Sequence, residues 1–86
     1  MMKSFETTIR DEHGLHARPA GLLVKEAQQC DSELTIECRG KSANLKKLLA
    51  VMGLGVKCGD IVKITATGEH ANDDLNKLQK FLEKNF

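Results

Sequence analysis

The sequence predicts a two-layer α/β sandwich, in which amphipathic helices cover one face of a β-sheet. Four segments alternate apolar and polar residues, which is the period of a strand with one buried face. Three further segments carry their apolar residues on a single helical stripe. The order along the chain is β-α-β-β-α-β-α, so helices are available to cover the apolar face of the sheet. With 86 residues, of which 41% are hydrophobic, we expect a single domain spanning residues 1–86.

The first strand and the first helix occupy the N-terminal third of the chain. Phe5 and Ile9 alternate with polar neighbours, which predicts a strand that ends near Arg10. Pro19 is tolerated only in the first turn of a helix, so a helix begins just before it. We expect this helix over residues 17–29, with one apolar stripe formed by Ala20, Leu23, Val24 and Ala27.

The middle of the chain carries the pattern of a β-hairpin. Leu34, Ile36 and Cys38 alternate with polar residues and predict the second strand. Gly40 provides the turn into a short third strand near residues 41–43.

A short helix, a strand and a longer helix complete the predicted fold. Asn44 is a favourable N-cap, so we expect a second helix over residues 45–52, which Gly53 ends. The fourth strand lies between Gly59 and Gly68 and is the most apolar of the four. The third helix has hydrogen-bond acceptors at its start and leucines on one face: Asn72, Asp73 and Asp74, followed by Leu75, Leu78 and Leu82.

The composition argues against several classes of function. Thirteen basic and twelve acidic side chains give a net charge of +1, without the basic surplus of a general nucleic-acid binder. No apolar run approaches the ~18 residues of a membrane span, so we expect no membrane insertion and a cytoplasmic location. The cysteines lack the closely spaced ligand pairs of a zinc site, and we expect small hydrophobic residues and no bound metal: Cys30, Cys38 and Cys58.

The segment at residues 14–20, with the sequence GLHARPA, places an imidazole at the start of a helix. Pro19 requires that helix to begin close to His16. The backbone amides of Ala17 and Arg18 then lack intrahelical acceptors and lie at the positive end of the helix dipole. The Arg18 guanidinium adds a fork of donors that matches phosphate oxygens. These residues predict an anion site with a nucleophilic imidazole beside it.

This combination indicates capture of a phosphoryl group that another protein supplies. The chain has no Walker-type loop and no pair of metal-binding carboxylates, so it has no evident means of binding and cleaving a nucleotide. The alternative is that His16 is an ordinary surface residue before a helix. The residues alone leave both interpretations open.

Three motifs together make the chain resemble the HPr family, the histidine-containing phosphocarrier proteins of the bacterial sugar phosphotransferase system. They are GLHARPA at residues 14–20, Asn-Leu-Lys at 44–46 and Val-Met-Gly-Leu-Gly at 51–55. The likeness extends over essentially all 86 residues. It implies an antiparallel sheet in strand order 1-4-2-3, with all three helices on one face of an open-faced sandwich.

The resemblance also implies a function. Enzyme I, charged from phosphoenolpyruvate, would phosphorylate Nδ1 of His16, and the group would pass to a sugar-specific IIA component. Arg18 would balance the phosphoryl charge, and the amides of Ala17 and Arg18 would hold its oxygens. The protein would be a monomeric carrier rather than an enzyme, without a cofactor. The alternative is a regulatory or nitrogen-system relative that acts mainly by binding other proteins, such as regulators.

The second helix supplies the candidate docking surface. The family likeness places Leu48, Leu49 and Met52 toward the partner. Periodicity alone allows another interpretation, in which these three residues and Leu45 all belong to the core. A docking surface is expected to be apolar at its centre and charged at its rim, where lysines would steer acidic partners: Lys25, Lys46 and Lys47.

Two positions depart from the family pattern. Many relatives carry a regulatory serine directly after the lysine of Asn-Leu-Lys, whereas this chain has Lys47 there. We therefore expect no seryl phosphorylation at this position. His13 stands where relatives usually have a small polar residue. An imidazole at that place either hydrogen-bonds near His16 or, when protonated, repels it.

Overall fold

The computed structural model describes residues 2–85, and the chain folds in the predicted order. The elements are β1 (Met2–Thr8), α1 (Ala17–Gln28), β2 (Glu33–Cys38), β3 (Lys41–Asn44), α2 (Leu48–Met52), β4 (Ile61–Thr67) and α3 (Ala71–Asn85). Met1 and Phe86, which the predicted domain of residues 1–86 includes, lie outside the described residues. Within residues 2–85, none of the helices is both long and apolar enough to cross a bilayer.

The four strands form one antiparallel sheet in the order β1-β4-β2-β3, as the family likeness implied. Ile64 of β4 pairs with Phe5 of β1 and with Ile36 of β2, and these three side chains face the helices. Thr35, one position before Ile36, is exposed on the opposite face. Helices therefore cover one face of the sheet only, and the predicted open-faced sandwich is confirmed.

The predicted helix stripes pack against the sheet and form the core. All four stripe residues of α1 are buried, and so are the three leucines on the apolar face of α3. The core is aliphatic, since Phe5 and Phe81 are only partly buried at its margin. Each buried Leu, Ile or Val contributes about 1.5 to 3 kcal/mol relative to an exposed position, so this packing is the main stabilising term.

A two-residue turn joins β2 to β3, and both of its residues have positive φ. Arg39 has a φ of 50° and Gly40 a φ of 79°, the pattern of a type I′ turn. Glycine adopts this region freely, but it is unfavourable for a residue with a Cβ. The Arg39 guanidinium offsets this by donating to the Asp60 carboxylate and to the carbonyl oxygens of Leu54 and Gly55, the last two at 3.0 Å.

The second helix is shorter than predicted and begins later. It starts at Leu48, with Lys47 at the N-cap position, so the prediction that Asn44 caps a helix over residues 45–52 is wrong. Asn44 is the last residue of β3, and its side-chain oxygen accepts a hydrogen bond from the Lys46 amide at 2.9 Å. The side-chain oxygen of Asn44, which would suit an N-cap, therefore closes a turn.

The first strand also ends earlier than predicted, at Thr8 rather than near Arg10. Ile9 leaves the ladder because its backbone bonds to the turn before β4. Its amide donates to the Asp60 carbonyl oxygen at 2.9 Å, and its carbonyl oxygen accepts from the Gly59 amide at 2.8 Å.

A buried carboxylate ties the start of α3 to the loop before β2. The sequence indicates Asp74 only as an acidic residue in the first turn, yet its exposed fraction is 7%. It accepts hydrogen bonds from the Ser32 hydroxyl and, at 3.1 Å, from the Ser32 amide. Burial alone would raise the pKa of Asp74, but the hydrogen bonds from Ser32 lower it by a larger amount. The net pKa therefore lies below the usual range of an aspartate.

The three cysteines differ in environment. Cys30 and Cys38 are buried as small hydrophobic residues, and burial raises the pKa of both thiols. Cys58 is exposed, so it does not serve as a buried hydrophobic residue. Its Sγ lies 3.7 Å from the Arg10 carbonyl oxygen.

Candidate functional site

The loop between β1 and α1 is held against the loop before β4. Leu15 is buried, and its amide donates to the Val56 carbonyl oxygen at 3.0 Å. Gly14 has a φ of 67°, and a Cβ there would lie 2.4 Å from the Val56 oxygen and 2.7 Å from the Lys57 Cα. Glycine is required for so close an approach of two backbones. The chain immediately before His16 is therefore fixed by its neighbour.

The loop before β4 is braced in turn. The Asp60 carboxylate accepts hydrogen bonds from the Lys57 amide, at 2.8 Å, and from the Arg39 guanidinium. These two donors lower the pKa of Asp60. The hairpin turn, the loop before β4 and the loop before α1 thus form one continuous network.

His16 occupies the N-cap position of α1, at the helix start that Pro19 predicted. Its backbone is extended, with φ −89° and ψ 178°, and its carbonyl oxygen accepts from the Ala20 amide at 2.9 Å. The imidazole does not cap the helix, and its exposed fraction is 44%. The ring is therefore accessible to another protein.

The first turn of α1 begins directly after His16 and carries amide donors and the exposed side chain of Arg18. Ala17 and Arg18 are the first two helical residues, and their amides have no acceptor within the helix. The first turn contains no acidic residue. Among residues 2–85, no carboxylate lies within 4.0 Å of the Arg18 guanidinium. The helix start thus keeps both its partial positive charge and a cation for an incoming anion.

Two further titratable side chains lie beside His16. Oδ1 of Asp11 is 4.0 Å from Nε2 of His16. The His13 ring is nearly perpendicular to the His16 ring, at an interplanar angle of 80° and a centroid separation of 5.6 Å. Asp11 was not among the predicted site residues. The spacing of Asp11 and His13 is typical of an Asx turn and could have indicated that Asp11 is close to the site.

Two of the three apolar residues predicted to form the docking surface are exposed. The exposed fractions of Leu48 and Leu49 are 41% and 86%, so the alternative that they belong to the core is wrong. Met52 is half-buried against the core. Leu45 and Val51 are buried and fill the core at this point. The face of the short helix that carries Leu48 and Leu49 therefore lies at the surface.

The surroundings of this surface differ from the prediction at two positions. Lys25 and Lys47 are exposed, whereas Nζ of Lys46 donates to the Cys30 carbonyl oxygen at 2.8 Å. Lys46 therefore braces the end of α1 and is not a free charge at the rim. Leu22 on α1 is exposed although the sequence did not single it out. Its place outside the apolar stripe of α1 was the available signal.

Two surface cavities in the described part of the chain lie away from His16. One lies between β2 and β3 and the other between β1 and α3. No group of three or more His, Cys, Asp or Glu side chains in residues 2–85 is arranged to hold a metal ion. The exposed imidazole and the apolar surface suit contact with a protein.

Comparison with known proteins identifies the family. The model of the PTS HPr component phosphorylation site matches residues 3–84. The chain belongs to the HPr family. It is 44% identical over 78 residues to the multiphosphoryl transfer protein of Salmonella typhimurium strain LT2, which covers 87% of this chain and 21% of that protein. The chain thus spans about a fifth of the length of the curated relatives it matches.

Solved structures of HPr proteins have the same fold. HPr-C-His from Thermoanaerobacter tengcongensis superposes with a TM-score of 0.92 and 34% identity, covering 98% of this chain and 94% of that one. Crh, the catabolite repression containing protein of Bacillus subtilis, was solved as a swapped dimer. It superposes with a TM-score of 0.76 and 35% identity, covering 92% of this chain and 91% of that one.

Proposed function

We propose that the protein is a phosphocarrier that receives a phosphoryl group on His16 from phosphorylated enzyme I and passes it to a sugar-specific IIA component. The observation that carries this proposal is the exposed imidazole at the N-cap of α1, directly before two free amides and Arg18. In this proposal the chain acts as one domain, as a carrier rather than an enzyme, and as a monomer in the cytoplasm.

The transfer exchanges one phosphorus–nitrogen bond for another. The lone pair on Nδ1 of His16 forms the new bond to phosphorus while the bond from phosphorus to the donor histidine breaks. Nε2 is the ring nitrogen that faces Asp11, at 4.0 Å. In this proposal the ring proton stays on Nε2, on the side of that carboxylate, and Nδ1 carries the lone pair. The reverse exchange, with a histidine of the IIA component as acceptor, restores free His16.

The helix start stabilises the charge that arrives. A phosphoryl group adds about 1.5 to 2 negative charges. In this proposal the amides of Ala17 and Arg18 donate to its oxygens, because they open the helix and the helix dipole favours an anion at this end. The Arg18 guanidinium adds charge-assisted hydrogen bonds.

The surface that docks on both partners, in this proposal, centres on α2. Leu48 and Leu49 provide exposed apolar area, and Met52 provides an adaptable side chain at its edge. Lys25 and Lys47 supply positive charge at the rim and favour acidic partners.

Phosphorylation by enzyme I tests the proposal. Incubation with phosphoenolpyruvate and enzyme I is expected to add one acid-labile phosphoryl group to the wild-type chain and none to His16→Ala. His70→Ala, at an exposed position before α3, is the matched control and should be phosphorylated like the wild type. Circular dichroism confirms that each variant is folded. Equal labelling of His16→Ala and the wild type would refute the assignment of His16.

A regulatory role is the second candidate, because the chain is also similar to Crh. Transfer of the phosphoryl group to sugar-system or nitrogen-system IIA components separates the candidates. Transfer to a sugar-specific IIA supports the carrier. Tight binding to a regulatory protein, without transfer to any IIA component, would support the regulatory role instead.

A further inference from the structure

A second imidazole lies in contact range of the proposed phosphoryl acceptor. The centroids of the His13 and His16 rings are 5.6 Å apart, with the edge of one ring toward the face of the other. The His13 side chain is 70% exposed, and its Nε2 lies 3.3 Å from a carboxylate oxygen of Glu12. Those two groups form an ion pair whenever His13 is protonated.

The backbone fixes the spacing of the two histidines. The His13 amide donates to Oδ1 of Asp11 at 2.9 Å, and the Gly14 amide donates to the Asp11 carbonyl oxygen at 2.9 Å. Gly14 is packed directly on the loop before β4, and the buried Leu15 is hydrogen-bonded to it. His13 is thus held on a rigid turn, and only its side-chain torsions are free to adjust.

We propose that His13 is a phosphoryl-binding residue, whose protonated imidazole donates a hydrogen bond to the phosphoryl group on His16 and prolongs its lifetime. This inference rests on the proposed phosphorylation of His16. A phosphoryl oxygen stands two covalent bonds beyond the ring nitrogen of His16, and rotation of the His13 side chain would bring its ring within hydrogen-bond distance of that oxygen, about 2.7 to 3.2 Å. In this proposal the phosphoryl group has two cationic neighbours, His13 on the loop and Arg18 on α1.

The stabilisation of phospho-His16 by His13 is expected to depend on pH. The segments that meet here carry Asp11 and Glu12 on the loop, Arg18 on α1 and Lys57 in the loop before β4. Imidazole is the type of side chain whose charge ordinarily changes between about pH 5 and pH 8. A hydrogen bond that a protonated imidazole donates is therefore expected on the acid side of this range and is lost on the alkaline side.

The lifetime of phospho-His16 tests the inference. The wild type, His13→Ala and His13→Lys are phosphorylated with phosphoramidate, a small-molecule phosphoryl donor. Hydrolysis of the phosphoryl group on His16 is then followed by phosphorus NMR. At about pH 6 we expect His13→Ala to lose its phosphoryl group about three- to tenfold faster than the wild type, since one cation near the dianion is removed. At about pH 8.5 the two lifetimes should converge, because a neutral imidazole no longer contributes a cation. His13→Lys should keep the long lifetime at both pH values.

His70→Ala removes an exposed imidazole outside the site. It controls for any effect that the loss of a histidine elsewhere has on the lifetime of phospho-His16. Equal lifetimes for the wild type and His13→Ala at both pH values would overturn the inference. So would a difference that is the same at both pH values, because a merely structural role of His13 has that result. Because phosphoramidate replaces enzyme I, a chain that enzyme I does not phosphorylate still allows this test, and the two proposals fail separately.

Discussion

Replacement of Gly14 by alanine is expected to destabilise the protein and to slow phosphorylation of His16. Two costs add at this position. The first is the left-handed backbone, with a φ of 67°, which costs an alanine about 1 to 2 kcal/mol. The second is steric, because the new Cβ would lie 2.4 Å from the Val56 carbonyl oxygen and 2.7 Å from the Lys57 Cα. Overpacking of this kind costs about 1 to 3 kcal/mol, or more where backbone must move.

The two costs can be separated with a matched variant. Gly40 has a similar φ of 79°, but no atom lies within 4 Å of a Cβ built there. Gly40→Ala should therefore lose only the backbone cost of about 1 to 2 kcal/mol. Gly14→Ala should lose about 2 to 5 kcal/mol in total, a large part of the roughly 4 to 13 kcal/mol expected for a domain of this length. Gly21→Ala, in open space within α1, should be stabilising by about 0.5 to 1 kcal/mol.

Thermal and urea unfolding followed by far-ultraviolet circular dichroism measure these differences. The chain has no Trp or Tyr, so intrinsic fluorescence is not informative. With an unfolding entropy of about 2.1 cal/mol/K per residue, a loss of 2 to 5 kcal/mol corresponds to a fall in Tm of roughly 10 to 25 °C. Phosphorylation should slow in Gly14→Ala even when folded, because the displaced loop moves His16. If Gly14→Ala and Gly40→Ala lose the same stability, the close packing of the two loops plays no part and the reasoning fails.

Three further predictions concern other parts of the molecule. Asp74→Asn should lower the free energy of unfolding by about 1 to 2 kcal/mol near neutral pH, because it weakens the buried hydrogen bonds from Ser32. The pKa of Asp74 is lowered on folding, so this contribution is present above the unfolded value of about 4 and is lost as pH falls through the folded value. Unfolding curves from neutral to acid pH check this, and a difference that persists unchanged at the lowest pH would contradict it. Leu49→Ser should weaken binding to enzyme I about tenfold or more with little change in Tm, whereas Ile61→Ser, at an apolar and also exposed position on β4, should leave binding intact; titration calorimetry distinguishes them. Because Lys47 lacks a hydroxyl, incubation with an HPr kinase and ATP should add no phosphate, and a stoichiometric phosphate on any serine of this surface, seen by mass spectrometry, would show the reverse.

The sequence predicts this fold well where local patterns are long. The apolar stripe of α1 repeats over two turns, so helical period identified every one of its buried residues. The start of α2 was wrong because Asn44 makes the same kind of hydrogen bond in a turn as in an N-cap, and a five-residue helix is too short to decide between them. The pair of Ser32 and Asp74 was out of reach, since 42 residues separate them and each looks like an ordinary polar residue locally.

The candidate site, like the fold, was predictable from the sequence only in part. Pro19 fixed the helix start, and with it the position of His16 and the amides after it. The exposure of Leu48 and Leu49 could not be derived from periodicity, because it depends on Leu45 and Val51 filling the core first. Nor could the nearness of His13 and His16 be read from their separation along the chain, because it depends on how Gly14 is pressed onto the loop before β4.

That anchoring also sets when the site can come into existence during synthesis. The loop that bears His16 leaves the ribosome early, but the backbone it rests on, from Val56 to Asp60, is translated much later. The strand β1 likewise waits for β4, its neighbour in the sheet. A nascent or prematurely terminated polypeptide that stops before Val56 therefore contains the whole GLHARPA motif but none of the support that organises it. The proposed acceptor site is therefore assembled only after the loop before β4 has emerged.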